Sequence, residues 1–346
     1  LGVAGLHDWT MDSTHLCLTR LSLLRVNTMG ALDHDLLADV EPLKRMSGKQ
    51  LRDLGRLAYP MVRHAGEPGF RRVRWDDALD LVAGRIRDAG PDRIALYLTA
   101  RGITNEVYYA AQKAMRFLGT NNVDNAARIC HAPSTFALKQ TVGAAATTIS
   151  YTDLLGTDLV VLWGSDVANA QPVTMKYLYM ARTKGTKVVV VNPFREPGLE
   201  RYWVPSNTES ALLGTKMTDM FVPVNTGGDR AFVAAVIKVL DEMGAVDRAF
   251  IDGHTSGYDA LMEGLTGVTL EELSSRCGTD VATIREFARL YADADNAVFV
   301  WSMGLTQHPF GVDNVQALID LALVRGNVGR ENAGLMPIRG HSGVQG

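Results

Sequence analysis

Leu159-Val160-Val161-Leu162-Trp163-Gly164-Ser165-Asp166 and, some twenty residues on, Lys187-Val188-Val189-Val190-Val191-Asn192 decide the fold of this chain. Each run has the length of a strand, shows no polar alternation and needs apolar cover on both faces. That pattern marks a parallel sheet sandwiched by helices. Between them Pro172 to Thr183 reads as a helix stopped by Gly185, so the three pieces form a βαβ unit. Further along, Met220 to Val224 reads as a third strand, followed by a helix from Arg230 to Met243. Thr269 and Glu272 have capping-box spacing for a helix to Arg276. Asp280 can cap the next helix, to Tyr291, and Ala297 to Trp301 is another strand. The expectation is an α/β fold, a doubly wound parallel sheet.

Towards the N-terminus the pattern weakens. Trp75, Leu79, Val82 and Ile86 recur at helical spacing, with Asp76 and Asp77 at the positive end of the helix dipole. Ile94 to Leu98 reads as a buried strand, and Asn105 to Leu118 as a helix ended by Gly119. Residues 1–65 are irregular. The 346 residues are 47% hydrophobic with a net charge of −3. A chain of that composition has a large core and no basic surface for nucleic acid. No apolar run reaches the roughly 20 residues of a membrane-crossing helix. Three cysteines, Cys17, Cys130 and Cys277, are too few for a disulfide framework and fit a reducing, cytoplasmic compartment. Neither end reads like a natural terminus, so the chain is taken as part of a longer one, and an export signal upstream stays open.

In an open parallel sheet, ligands lie beyond the carboxyl ends of the strands. Four small or polar segments belong there: Gly164 through Asp166 to Asn169, Asn192-Pro193-Phe194, Gly227-Gly228-Asp229, and Ser302-Met303-Gly304 through Gln307. Any one of them could simply turn the chain. Four on one edge point to a ligand instead. Neither G-x-G-x-x-G after a strand nor G-x-x-x-x-G-K-[ST] occurs, which leaves a dinucleotide other than the usual nicotinamide or ATP ligands.

The chemistry is expected in Gly119-Thr120-Asn121-Asn122-Val123-Asp124-Asn125-Ala126-Ala127-Arg128-Ile129-Cys130-His131-Ala132-Pro133-Ser134. A cysteine at a loop-to-helix junction, with a helix N-terminus and Arg128 nearby, suits a low-pKa thiolate. Such a sulfur could attack a carbonyl or bind a soft metal.

This segment resembles the active-site segment of molybdopterin formate dehydrogenases, within the dimethylsulfoxide reductase superfamily. Trp301-Ser302-Met303-Gly304-Leu305-Thr306-Gln307 is similar to the same family's Trp-Gly-Met-Gly-x-Thr-Gln loop. Arg325-Gly326-Asn327-Val328-Gly329 and Pro337-Ile338-Arg339-Gly340-His341-Ser342-Gly343-Val344-Gln345-Gly346 match two further family stretches. The resemblance implies a bis-(molybdopterin guanine dinucleotide) cofactor with molybdenum or tungsten. It makes Cys130 the metal ligand, His131 the acid/base partner and Arg339 the group that holds a small anion, formate. Gly164, Asp166, Asn169, Asn192, Gly227, Asp229, Gly304, Gln307, Gly340 and His341 become the cofactor-binding candidates. The family carries four N-terminal cysteines for a [4Fe-4S] cluster; this chain has Cys17 there, a candidate ligand.

The implied layout is an N-terminal, cluster-proximal segment over 1–65, a second αβ lobe over 66–129 and 336–346, and a dinucleotide-binding αβ domain over 130–335. The implied reaction oxidises formate to carbon dioxide and passes two electrons to an acceptor or redox partner. Two alternatives stand beside it: the same cofactor acting on another small substrate, or a non-catalytic structural subunit of a redox complex.

Overall fold

The valine- and leucine-rich runs form the strands that their composition demands. In the computed structural model, which describes residues 7–8, 11–14 and 18–339, the central elements are a set of five strands and the helices between them. In chain order they are α1 (Ala132–Thr141), β1 (Leu159–Trp163), α2 (Thr174–Thr183), β2 (Lys187–Asn192), β3 (Met220–Pro223), α3 (Asp229–Glu242), α4 (Val281–Ala292), β4 (Ala297–Trp301), α5 (Gly311–Leu323) and β5 (Gly334–Pro337). The strands pair in the order β3-β2-β1-β4-β5, all parallel.

Side chains of a strand alternate between faces, and both faces are buried here. Leu159, Val161, Trp163, Phe299 and Trp301 pack with α1, α3, α4 and α5. Val160, Leu162, Val188, Val190, Val298 and Val300 pack with α2 on the other face. Every residue of β1 and β4 is buried. Each such side chain contributes roughly 1.5–3 kcal/mol by leaving water, which is why these strands hold the sheet.

Helix ends follow their expected caps. Thr269 and Glu272 form the capping box on Leu270–Cys277, and Asp280 accepts the Thr283 N–H at 2.9 Å at the start of α4. The amino edge of the sheet is closed by a buried network around the Arg325-Gly-Asn segment. Arg325 donates to the carbonyls of Ala245, Ala292 and Ala294. Asn327 accepts the Ala297 N–H at 3.1 Å and donates to the Tyr291 hydroxyl at 2.9 Å.

The structure departs from the sequence reading at several points. The helix at 75–89 forms, but Trp75, Leu79 and Val82 on its apolar stripe are exposed. The strand expected as buried over 94–98 is Leu96–Leu98 and only half-buried. The N-terminal region contains helices Leu18–Asn27 and Gly48–Asp53. β5 runs through residue 337 and is paired to β4, across the boundary drawn at 335/336. By internal contacts the chain divides into Leu1–Cys17, Thr99–Ile103 and Asn125–Gly346 as one unit, and Leu18–Leu98 with Thr104–Asp124 as the other. No helix among the described residues is long and apolar enough to cross a membrane.

Candidate functional site

Strand order reverses between β1 and β4, since connections run from β1 outward through β2 to β3 on one side, and from β4 to β5 on the other. A crevice opens beyond the carboxyl ends at such a switch point. Here Gly164, after β1, crosses Gly304, after β4. The Gly304 N–H donates to the Gly164 carbonyl at 2.9 Å. A Cβ on Gly304 would sit 2.5 Å from the Gly164 Cα, and Gly164 has φ +59°. Neither position has room for a side chain.

The other edge residues hold one another in place. Asn192 accepts the Ser165 N–H and donates to the Ser165 carbonyl, both at 3.2 Å, and so ties the end of β2 to the end of β1. Asn169 Nδ2 donates to Asp166 at 2.7 Å. Asp229 is buried and accepts the Trp163 indole N–H at 2.7 Å; burial pushes its carboxyl up, against the indole's hydrogen bond. Gly227 has φ +85° beside Phe310, whose ring stacks on His308. Gln307 is exposed, with its amide against the Met303 sulfur. Cys17, Gly340 and His341 lie outside the described residues.

Cys130, His131 and Arg339 come together across more than two hundred residues of sequence. Cys130 ends the four-residue helix Ala127–Cys130, and His131 leads into α1. The Cys130 carbonyl is held by the Thr306 hydroxyl from the loop after β4. Arg339 follows β5, where the Ile338 N–H extends the ladder by donating to the Trp301 carbonyl at 2.8 Å. His131 is fully buried, with Nδ1 2.9 Å from the Ser134 hydroxyl. Trp301 Nε1 donates to that same hydroxyl at 2.9 Å.

The electrostatics differ from the sequence reading. Cys130 ends the short helix Ala127–Cys130 and directly precedes His131, the N-cap of α1, so the expected helix start is there, yet burial pushes the thiol up. The cation that opposes this is Arg339 rather than Arg128. Burial, and then the Arg339 charge, push the His131 imidazole down to about 3 against a weaker pull from the Ile338 main chain, which faces the ring without meeting hydrogen-bond geometry at Nε2, so the ring is neutral. Burial lowers Arg339 to about 10, with Cys130 opposing. Arg339 donates from Nη1 to the Pro337 carbonyl at 3.3 Å. Its Nε and Nη2, and Nε2 of His131, are buried without a partner among the described residues. Buried donors of this kind are rare unless something else accepts from them.

The molybdopterin oxidoreductase family profile matches residues 56–343. The chain belongs to that family. Its relatives include the F420-dependent formate dehydrogenase 2 subunit alpha of Methanococcus maripaludis, 37% identical over 84% of this chain and 40% of that protein. Formate dehydrogenase H of Escherichia coli is 34% identical over 84% of this chain and 39% of its own length. The chain therefore spans about two fifths of the length of these relatives. Among solved structures, acetylene hydratase from Pelobacter acetylenicus superposes with a TM-score of 0.60 at 22% identity, over 81% of this chain and 37% of that one. That likeness is one of fold.

Sequence reasoning quoted Ser134 and Trp301 within the matched motifs but gave neither a role at His131. A serine three residues after a histidine reads as a helix-start residue, and a tryptophan ending an apolar run reads as core. Only the fold brings the indole to the hydroxyl.

Proposed function

We propose that this chain is the cofactor-facing part of a molybdopterin oxidoreductase of formate dehydrogenase type, oxidising formate to carbon dioxide, a proton and two electrons. One observation carries the reading: a buried cysteine, a buried neutral histidine and a half-buried arginine share one site, and three nitrogen atoms of the last two lack partners among the described residues. The residues fit the cofactor that the family implies. Cys130 is a soft donor for molybdenum or tungsten. The side-chain-free Gly164/Gly304 crossing at the switch point lets main chain approach a dinucleotide closely. When bound, the bis-(molybdopterin guanine dinucleotide) group would supply the two-electron acceptor.

The chain's own residues bind and orient. Arg339 offers Nε and Nη2 as a parallel pair, suited to the two oxygens of formate. His131 lies beside it, with its Nε2 making no hydrogen bond among the described residues. Asp166, Asn169 and Gln307 can reach a nucleotide from the edge. Asn192 and Asp229 support that edge through Ser165 and Trp163, with Gly227 turning the loop before Asp229. Gly340 and His341 follow Arg339 in the matched family segment. The buried guanidinium favours a small anion over an uncharged substrate.

The test is metal analysis of the full-length protein from a host that makes the pterin, followed by formate-driven dye reduction. The expected content is about one molybdenum or tungsten and about four iron atoms per chain, the iron belonging to a [4Fe-4S] cluster to which Cys17 would contribute. Cys130→Ala is expected to abolish turnover and leave assembly intact. Metal without iron would remove the cluster from the proposal. Neither metal nor iron would overturn the catalytic reading in favour of a structural subunit.

A further inference from the structure

Trp163 and Trp301 are register partners at the ends of adjacent central strands, fully buried on one face. Each indole N–H is taken up by a polar residue from the helices above: Trp163 by Asp229, and Trp301 by Ser134. An indole nitrogen only donates, so the Ser134 oxygen is the acceptor of its bond with Trp301. The same oxygen lies 2.9 Å from His131 Nδ1, and neither side chain is exposed. Among the described residues the Ser134 hydroxyl meets no other acceptor. If Nδ1 carried a hydrogen, two donors would point at one oxygen and the buried hydroxyl hydrogen would have nowhere to go. Leaving such a group unpaired is unfavourable enough to decide the arrangement. The hydroxyl therefore donates to Nδ1, which leaves the ring's hydrogen on Nε2, an atom that meets no acceptor in hydrogen-bond geometry among the described residues.

We propose that Trp301 and Ser134 form a one-way hydrogen-bond relay that fixes His131 as its Nε2–H tautomer, so that the resting site presents a second donor beside Arg339. Ser134 and Trp301 are positioning residues in this arrangement. The proton placement rests on the hydrogen bonds alone, while its use on formate rests on the function proposed above. A ring with Nε2 bare would turn a lone pair towards a carboxylate oxygen and repel it. With Nε2–H, the imidazole and the guanidinium bind the anion together.

Neutron diffraction from deuterium-exchanged crystals of the full-length enzyme reads this directly. The expected map has deuterium on His131 Nε2, none on Nδ1, and the Ser134 deuterium directed at Nδ1. Deuterium on Nδ1, alone or together with Nε2, overturns the proposal. Trp301→Phe removes the indole donor and lets Ser134 accept from Nδ1. In that variant deuterium is expected on both ring positions at partial occupancy, with the formate KM raised about three- to tenfold and kcat changed less. A variant that keeps Nε2–H alone and an unaltered KM overturns the relay. Ser134→Thr keeps the hydroxyl and is expected to keep the wild-type tautomer. Should the wild type fail to oxidise formate, the function above falls, and the deuterium map still decides the tautomer.

Discussion

Arg339 brings a charge into a half-buried position and, among the described residues, pairs only one of its nitrogens, Nη1. A lysine there would keep a charge but lose the parallel pair of N–H groups. Arg339→Lys is therefore expected to raise the formate KM ~10- to 100-fold, equivalent to roughly 1.5–3 kcal/mol. Steady-state kinetics on the full-length enzyme checks this, and an unchanged KM would remove Arg339 from substrate binding. Asp320 on α5 is a second residue placed against the usual rule. Its carboxylate has no hydrogen-bond or ion-pair partner among the described residues, and burial raises it from 3.8 to about 6. The folded state thus holds the proton more tightly than the unfolded one. Stability is greatest below the ordinary carboxyl pKa and is lost as pH rises through 6. Asp320→Asn is expected to gain ~2 kcal/mol at about pH 8 and nothing at about pH 4. Denaturant melts at the two pH values decide it.

Among the elements, β1 and β4 were legible in the sequence with their observed bounds, because five apolar residues bounded by polar or turn residues admit little else. α5 and β5 were not read. α5 begins at a glycine with no side-chain cap, and β5 is four residues beginning with glycine and ending with proline. Only pairing with β4 makes that short run a strand. The family's motifs singled out Cys130, His131 and Arg339, and the fold brings these three residues together. Their surroundings were not legible, since burial and the role of Arg339 as the nearby cation depend on where the chain returns. The Arg325-Gly-Asn stretch was legible as a motif, yet its network braces the amino edge of the sheet, away from the strand ends that bear the site. Asn327→Ala would strip the Ala297 N–H and the Tyr291 hydroxyl of a buried partner. The expected loss is ~2–3 kcal/mol, read as a lower denaturation midpoint with formate KM unchanged.

Over the whole molecule, burial is uneven. In the unit formed by Leu18–Leu98 and Thr104–Asp124, Met115 is the only apolar side chain buried among the described residues, and Phe117 is 90% exposed. The unit that holds the sheet contains nearly all of the core. Amides that open by local fluctuation exchange faster than those released only by global unfolding. Hydrogen exchange followed by mass spectrometry on this chain is expected to leave β1, β2 and β4 protected longest. The helices Trp75–Ala89 and Asn105–Phe117 should exchange well before them. Equal protection in the two units would contradict this distribution of stability.

The crossing of Gly164 and Gly304 also has a mechanical side. Asn192 grips Ser165, Ser165 adjoins Gly164, Gly164 is bonded to Gly304, and two residues later Thr306 grips the carbonyl of Cys130. The ends of three strands are thereby linked, main chain to main chain or through one short side chain, as far as the sulfur-bearing residue. A linkage with so few rotatable bonds has little slack. The main chain of Cys130 is thus mounted on the sheet as a fixed jaw rather than carried on a flexible arm.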